Sequence, residues 1–124
     1  MSEVSEWAAL AVAGAAGQLT IGEDTARSCA KACDEYRDKL VDAYLDVDRF
    51  KVVSFGTLPS AIALAEKFTL KADGGDDSLA LRLREHIVLV EAMRDAYIAA
   101  GQLIDQQDEA FVSRLSSYTA SLDH

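Results

Sequence analysis

The stretch LALRLREHIVLVEAMRDAYIAAGQLIDQQDEAFVSRL, residues 79–115, decides the fold class. A mainly apolar stripe recurs in it at steps of three and four residues, the repeat that keeps one face of an α-helix apolar. The stripe consists of Leu79, Leu83, His86, Val90, Met93, Tyr97, Ala100, Ile104, Gln107, Phe111 and Leu115. We therefore predict one long helix over residues 77–117. Five members of the stripe are predicted to pack against a partner helix: Val90, Met93, Tyr97, Ile104 and Phe111.

The remaining sequence also predicts helices. A short Ala-rich helix is expected over residues 5–18, with Trp7, Leu10 and Ala11 on one side, and a long helix is expected over residues 24–50. Gly56 and Pro59 interrupt the pattern, which favours a turn over residues 51–58 and a new helix over 59–72. The stretch Asp73-Gly74-Gly75-Asp76 is either a loop or a kink before the last helix, and Asp76 or Asp77 can cap that helix. The long helix over 24–50 has its own apolar stripe: Ala26, Cys29, Cys33, Tyr36, Leu40, Ala43, Tyr44, Val47 and Phe50.

Length and composition set the architecture. The 124 residues fit a single domain, residues 1–124, and one proline with few β-branched runs favours an all-α fold. A helix of ~40 residues is about 60 Å long, which is more than the width of a compact domain of this size. We therefore predict an elongated antiparallel helical hairpin with an extra short N-terminal helix. Because neither long helix can cover the stripe of the other, a second chain is expected to complete a four-helix bundle.

The net charge of −9 argues against nucleic acid or anionic lipid as a partner. The longest apolar run, residues 7–16, is about half of the ~20 residues that a membrane span needs. Glu3 and Glu6 precede this run where a secretory signal peptide carries basic residues. We expect a cytoplasmic protein without a membrane span and without a signal peptide for the general secretory route.

Three groups of side chains are candidates for chemical sites. Cys29 and Cys33 share one helix face and could supply two metal ligands or an intrahelical redox pair, but small apolar residues in a packed seam are the expected interpretation. His86 lies on the apolar stripe, and it is interpreted either as a half-buried residue or as a pH switch at a helix interface. The acidic residues Asp34, Asp38, Asp42 and Asp46 wind around the helix among basic residues, which is typical of a solvated face. We predict no catalytic residues, no metal and no cofactor.

Two short motifs resemble the WXG family, the small helical-hairpin substrates of actinobacterial type VII (ESX) secretion. Ser54-Phe55-Gly56 stands at the predicted turn, where the family has Trp-x-Gly. Ala100-Gly101 followed by Ile104 and Asp108 resembles the family's Ala-Gly and Tyr-x-x-x-Asp export motif, with Ile104 in the position of the tyrosine. The resemblance spans roughly residues 23–115 and leaves the N-terminal helix outside it.

The resemblance implies a non-catalytic substrate or co-substrate of type VII secretion that forms a helical homodimer or a heterodimer with a neighbouring small WXG-like protein. Such a protein is cytoplasmic before export and is secreted afterwards. Residues alone leave a second hypothesis open: a cytoplasmic adaptor, chaperone or immunity-type protein that binds its partner through an acidic face. An enzyme is the remaining class, and no motif in the sequence favours it.

Overall fold

The computed structural model describes residues 3–47, 62–63, 66–67 and 78–122. Its described elements are helical and include no strand, so the all-α prediction is confirmed for this part of the chain. Helix α1 spans Glu3–Ala15, α2 spans Glu23–Leu45, α3 spans Leu79–Ala100 and α4 spans Glu109–Leu122. Residues 62–63 and 66–67 are helical as well, within the range predicted as a helix over 59–72. The predicted turn at Ser54, Phe55 and Gly56 lies outside the described residues.

The chain divides into two compact units. The first comprises Met1–Arg37 and Val88–His124, and the second comprises Asp38–Ile87. The first unit thus contains α1, most of α2, the C-terminal half of α3 and α4. The division is finer than the single domain expected from chain length.

The C-terminal half of α3 is the central element of the first unit. Ala92, Asp95, Ala96, Ala99 and Ala100 are all buried there, on more than one side of the helix. Glycine and alanine allow helix axes to approach closely, and Gly14 of α1 lies against the backbone of Ala99 and Ala100. Helix α1 also contacts α4. Four helical segments of one chain therefore pack together in this unit, and a second chain completing the bundle stays a prediction.

The prediction of a continuous helix over residues 77–117 is wrong. Helix α3 ends at Ala100 and α4 begins at Glu109. Leu103 N donates to Ile98 O at 2.9 Å and Gln102 N donates to Ala99 O at 3.1 Å, with Gln102 in the left-handed region at φ 58°. This is the Schellman pattern, which closes a helix C-terminus by satisfying its last carbonyl groups. The apolar residues keep their spacing of three and four across the break, although the helix itself does not continue. Side-chain spacing alone therefore does not determine the backbone conformation.

Helix starts follow from short polar side chains. Ser78 Oγ accepts a hydrogen bond from Leu81 N at 3.1 Å, and Asp108 Oδ1 accepts one from Phe111 N at 3.1 Å. Each is the N-cap arrangement that satisfies a free amide in the first helical turn. Asp76 and Asp77, the caps predicted for the last helix, lie outside the described residues. Helix α2 begins at Glu23, one residue before its predicted start.

The buried face of α1 differs from the predicted one. Trp7, Leu10 and Ala11 were expected on one side, but Leu10 is exposed and the buried residues are Ala8, Ala11 and Gly14. The face with small residues is buried because α1 approaches α3 closely at Gly14, where a larger side chain has no room. The stripe predicted for the helix over residues 24–50 agrees better with the observed burial, since Ala26, Cys33, Leu40 and Val47 are buried.

The second unit has a small apolar cluster of its own. Val47 and Ala80 are buried, and Tyr44 and Leu83 pack against them. The guanidinium of Arg84 lies 6.0 Å from the centroid of the Tyr44 ring, within the range of a cation–π interaction. Residues at the end of the α2 stripe and at the start of α3 thus form one apolar cluster in this unit.

Candidate functional site

An apolar groove separates α2 from the C-terminal half of α3 in the first unit. Its volume is about 240 Å³. The groove is lined by Cys29, Ala32, Cys33, Tyr36, Val90, Met93 and Tyr97. Tyr36 is 51% exposed although it is a large aromatic residue, whereas Val90 is buried in the floor. The groove is therefore an open apolar surface and not a closed core.

The sequence places these side chains by simple helix geometry. Cys29, Cys33 and Tyr36 follow one another at steps of four and three residues on α2, and Val90, Met93 and Tyr97 do so on α3. Such spacing aligns three side chains along one face of each helix. The two predicted stripes thus face each other at this point, and three of the five predicted partner-packing residues lie in one groove.

Two side chains in the groove, Cys33 and Tyr97, have a raised pKa. Burial, followed by the nearby carboxylate of Asp34, raises the pKa of the Cys33 thiol. Burial also raises the pKa of Tyr97, and the hydroxyl of Tyr97 interacts with the side chain of Cys29 by a hydrogen bond that acts in the same direction. Both cysteines are free thiols. A neutral thiol is a weak nucleophile, so this environment does not activate Cys33 for covalent chemistry.

Salt bridges connect α2 and α3 beside the groove. Arg94 Nε lies 2.7 Å from Asp34 Oδ1, and Arg37 Nε lies 2.8 Å from Glu91 Oε1. These pairs are partly exposed, so each contributes little to stability but fixes the register of the two helices. Asp34 is therefore an interhelical partner within the otherwise solvated acidic face, while Asp38, Asp42 and Asp46 are exposed.

A buried ionic network lies on a different side of α3. Asp95 is completely buried, and its two carboxylate oxygens accept hydrogen bonds from Arg114 Nε at 2.7 Å and Arg114 Nη2 at 2.8 Å. The hydroxyl of Tyr118 donates to Asp95 Oδ2 at 2.7 Å. The hydrogen bond to Asp95 raises the pKa of Arg114, whereas burial is the main cause of the raised pKa of Tyr118. This network fixes α4 to α3 and leaves Asp95 fully satisfied.

The ends of α1 and α3 meet at a polar junction. Gln102 Nε2 donates to Gly14 O at 2.9 Å and to Ala99 O at 3.1 Å, and Ile21 N donates to Ala100 O at 2.9 Å. Carbonyl groups at helix C-termini lack intrahelical partners, and the side-chain amide of Gln102 donates hydrogen bonds to two of them. Gly101 has a close neighbour too, because a Cβ on it would collide with Ala26 Cβ.

The residues of the predicted export motif have structural roles in this region. Ala100 and Gly101 end α3, and Asp108 caps α4, with Ile104 partly buried in the connection between the two helices. Phe111 lies on α4 and is buried within the chain. Ile104 and Phe111 therefore do not continue the helical stripe of Val90, Met93 and Tyr97, which corrects the five-residue stripe predicted from sequence. His86 is exposed.

The sequence patterns do not predict the structural roles of Asp95, Arg114, Tyr118 and Gln102. A signal for Asp95 was present, because it stands among buried alanines at helical spacing: Ala92, Ala96 and Ala99. A carboxylate in a row of small residues requires a cationic or hydrogen-bonding partner when the row is buried. No spacing rule identifies Arg114 as that partner, since it lies on another helix.

Comparisons with known proteins leave the family open. No protein-family model matches the chain, no curated protein is similar to it in sequence, and no solved structure matches its fold. Among the residues that the structure describes, no cluster of three or more His, Cys, Asp or Glu side chains could hold a metal ion. Within the same residues, no helix combines the length and apolar character that crossing a membrane requires.

Proposed function

We propose that this protein is a non-catalytic helical interaction protein that receives a helix of another protein in the groove between α2 and α3. The observation that carries the proposal is the groove itself, in which Tyr36, Met93 and Tyr97 form an open apolar surface. Exposed apolar surface of this kind marks binding sites, and an amphipathic helix laid into a groove is a common way to cover it.

Charge favours a different protein as the occupant over a second copy of this chain. Each copy carries a net charge of −9, so self-association would bring like charges together. Glu35 and Asp38 are exposed on α2 near Tyr36. A partner helix with an apolar stripe flanked by lysine and arginine residues complements both the groove and its surroundings.

The resemblance to the WXG family supplies the biological setting of the proposal: association with type VII secretion as a substrate or co-substrate. The partner then carries the export motif, because Ile104 stands in the position of the motif tyrosine in this chain. On this proposal the protein is cytoplasmic before export and leaves the cell in complex with its partner. Export of this protein alone from a strain that lacks every neighbouring small helical gene would contradict the co-substrate role.

The mass in solution tests the proposal. We expect a 1:1 complex when the protein is co-expressed with the product of the adjacent small open reading frame. Tyr36→Glu places a charge in the groove and should abolish the complex. Leu10→Glu is the matched control, since Leu10 is a similarly exposed large apolar residue on α1, outside the groove, and it should leave the complex intact.

Two outcomes would contradict the proposal. One is a monomer in both preparations, and the other is equal loss of the complex in the Tyr36 and Leu10 variants. A homodimer that Tyr36→Glu disrupts would retain the groove as the interface but overturn the choice of a different protein as its occupant.

A second candidate function rests on the acidic face of α2. Asp24, Glu35, Asp38 and Asp42 are exposed, which suits an adaptor, chaperone or immunity-type protein that covers a basic partner. Ionic strength separates the two functions, because charge pairing is screened by salt whereas apolar burial is not weakened by it. A complex that weakens steeply between low and high salt, with Tyr36→Glu having no effect, would favour the acidic-face function.

A further inference from the structure

Three of the residues that line the groove carry sulfur. Cys29 and Cys33 contribute thiols from successive turns of α2, and Met93 contributes a thioether from α3 on the opposite side. The two cysteines lie on one helical face at a spacing of four residues, and both are free. The thioether comes from a separate helix, so its position is an observation independent of the cysteine spacing.

The other lining residues exclude most kinds of metal ion. They are an alanine, a valine and two tyrosines, so the groove offers no carboxylate and no imidazole. Hard cations such as Mg²⁺ and Ca²⁺ require oxygen ligands, and a structural Zn²⁺ site requires four ligands of the Cys and His type. Thiolate and thioether sulfur together select Cu(I).

We propose that Cys29, Cys33 and Met93 bind one Cu(I) ion in the groove, through two thiolates and one thioether. Each thiol loses its proton to solvent as it binds, and copper keeps its oxidation state. The copper ion with its two thiolates carries one negative charge, whereas two free thiolates carry two. The apolar groove therefore tolerates the copper-bound form better.

The groove has the space and the access that this site needs. Its volume of about 240 Å³ exceeds that of a single ion, and it opens to solvent beside the exposed ring of Tyr36. Cys33 is buried and Cys29 is partly exposed, so an ion arriving from solvent meets Cys29 first. Copper can therefore enter without unfolding either helix.

Copper binding by the isolated full chain tests the inference. The protein is titrated anaerobically with Cu(I) in competition with bicinchoninate, and stoichiometry is read by native mass spectrometry. We expect one copper per chain. Cys29→Ser and Cys33→Ser should each weaken binding by more than the ~10–100-fold that follows from losing an outer-shell partner. Met93→Leu should weaken it less than either cysteine change, because a thioether is the weaker ligand, but measurably. Tyr36→Phe, which changes a lining residue without removing sulfur, should bind like the unmodified protein.

Further measurements separate ligand loss from unfolding and from other modes of binding. Circular dichroism should show the same helix content in all four variants, and X-ray absorption should show a shell of sulfur ligands only. The inference is overturned if Met93→Leu binds as tightly as the unmodified protein, if nitrogen or oxygen ligands dominate the shell, if Zn²⁺ competes equally, or if copper is found only in dimers. Since the experiment uses the isolated chain, failure to bind copper leaves the proposed helical partner untouched.

Discussion

The C-terminal half of α3 has two sides that are built in opposite ways. Toward α1 and α4 it is closed, with Gly14 against the backbone of Ala99 and Ala100 and with the carboxylate of Asp95 fully paired. Toward α2 it is open, with an apolar groove beside partly exposed salt bridges. The closed side combines small residues with a directional ionic network, which fixes a single arrangement of helices.

The difference shows where the chain has room for function. Close packing of small residues leaves no space for a ligand, whereas larger residues such as Met93 and Tyr97 hold α2 and α3 apart and leave a cavity between them. Substitutions on the closed side should therefore alter stability, while those in the groove should alter binding and change stability little.

The largest expected effect is at Gly14. A Cβ there would lie 2.6 Å from Ala100 N and 2.8 Å from the carbonyl carbon of Ala99, and backbone atoms cannot move aside as a flexible side chain can. Alanine is intrinsically better than glycine in a helix by about 1 kcal/mol, so the steric cost has to exceed this gain. We expect Gly14→Ala to lower the free energy of unfolding by roughly 2 kcal/mol, within the range for overpacked cores. Urea denaturation followed by circular dichroism measures it.

Gly17→Ala is the control for this prediction. Gly17 has a left-handed φ of 78° but no atom near its would-be Cβ, so its replacement has a conformational cost without a collision. That cost is about 1–2 kcal/mol. A Gly14→Ala variant as stable as the unmodified protein would show that α1 and α3 do not approach closely.

The next effect is at Asp95. Asp95→Ala removes the acceptor for both Arg114 and Tyr118, which leaves their polar groups without a partner. Breaking a fully buried ion pair from one side costs roughly 3–5 kcal/mol, but Arg114 and Tyr118 are both partly exposed and can turn to water, so this variant should cost about 1–2 kcal/mol. Thermal or urea unfolding measures the loss, and protease cleavage in the segment between α3 and α4 should increase because α4 is less firmly held.

Two variants make this prediction specific. Asp42→Ala removes an exposed carboxylate and should change stability by no more than about 0.5 kcal/mol. Adding Arg114→Met to Asp95→Ala should cost less than the sum of the single changes, because the unpaired guanidinium is then gone. Strict additivity of the two would contradict the ionic network.

Sequence periodicity predicted the helices and much of α2's buried face, but it did not predict where the last helix ends. Both outcomes have one cause, since periodicity describes side-chain spacing and the break depends on backbone hydrogen bonds around Gln102. Glutamine is an unusual residue for a left-handed position, and its side chain is stabilised by bonds to Gly14 O and Ala99 O. The bond to Gly14 O joins residues 88 positions apart, so no local pattern indicates it.

The sequence predicts most of the residues that line the groove, but it does not predict the groove itself. Val90, Met93 and Tyr97 belong to the predicted stripe of α3, and Cys29, Cys33 and Tyr36 belong to that of α2. Sequence alone could not show that these two sets face one another, because that depends on the packing of α1 and α4 on the remaining sides of α3. The same packing explains why Phe111, predicted to face a partner, is buried within the chain.

The smallest expected effect is at the salt bridges beside the groove. Asp34→Asn removes the charge that pairs with Arg94, and exposed pairs of this kind contribute about 0.2–1 kcal/mol. Arg94→Met should cost more, since Arg94 Nη1 also lies 3.8 Å from the buried carboxylate of Asp95. A double-mutant cycle measured at low and high salt isolates the Asp34–Arg94 interaction, and its coupling energy should shrink as ionic strength rises. A salt-independent coupling well above 1 kcal/mol would mean that this side of α3 is as rigidly specified as the closed side, and the contrast between them would no longer hold.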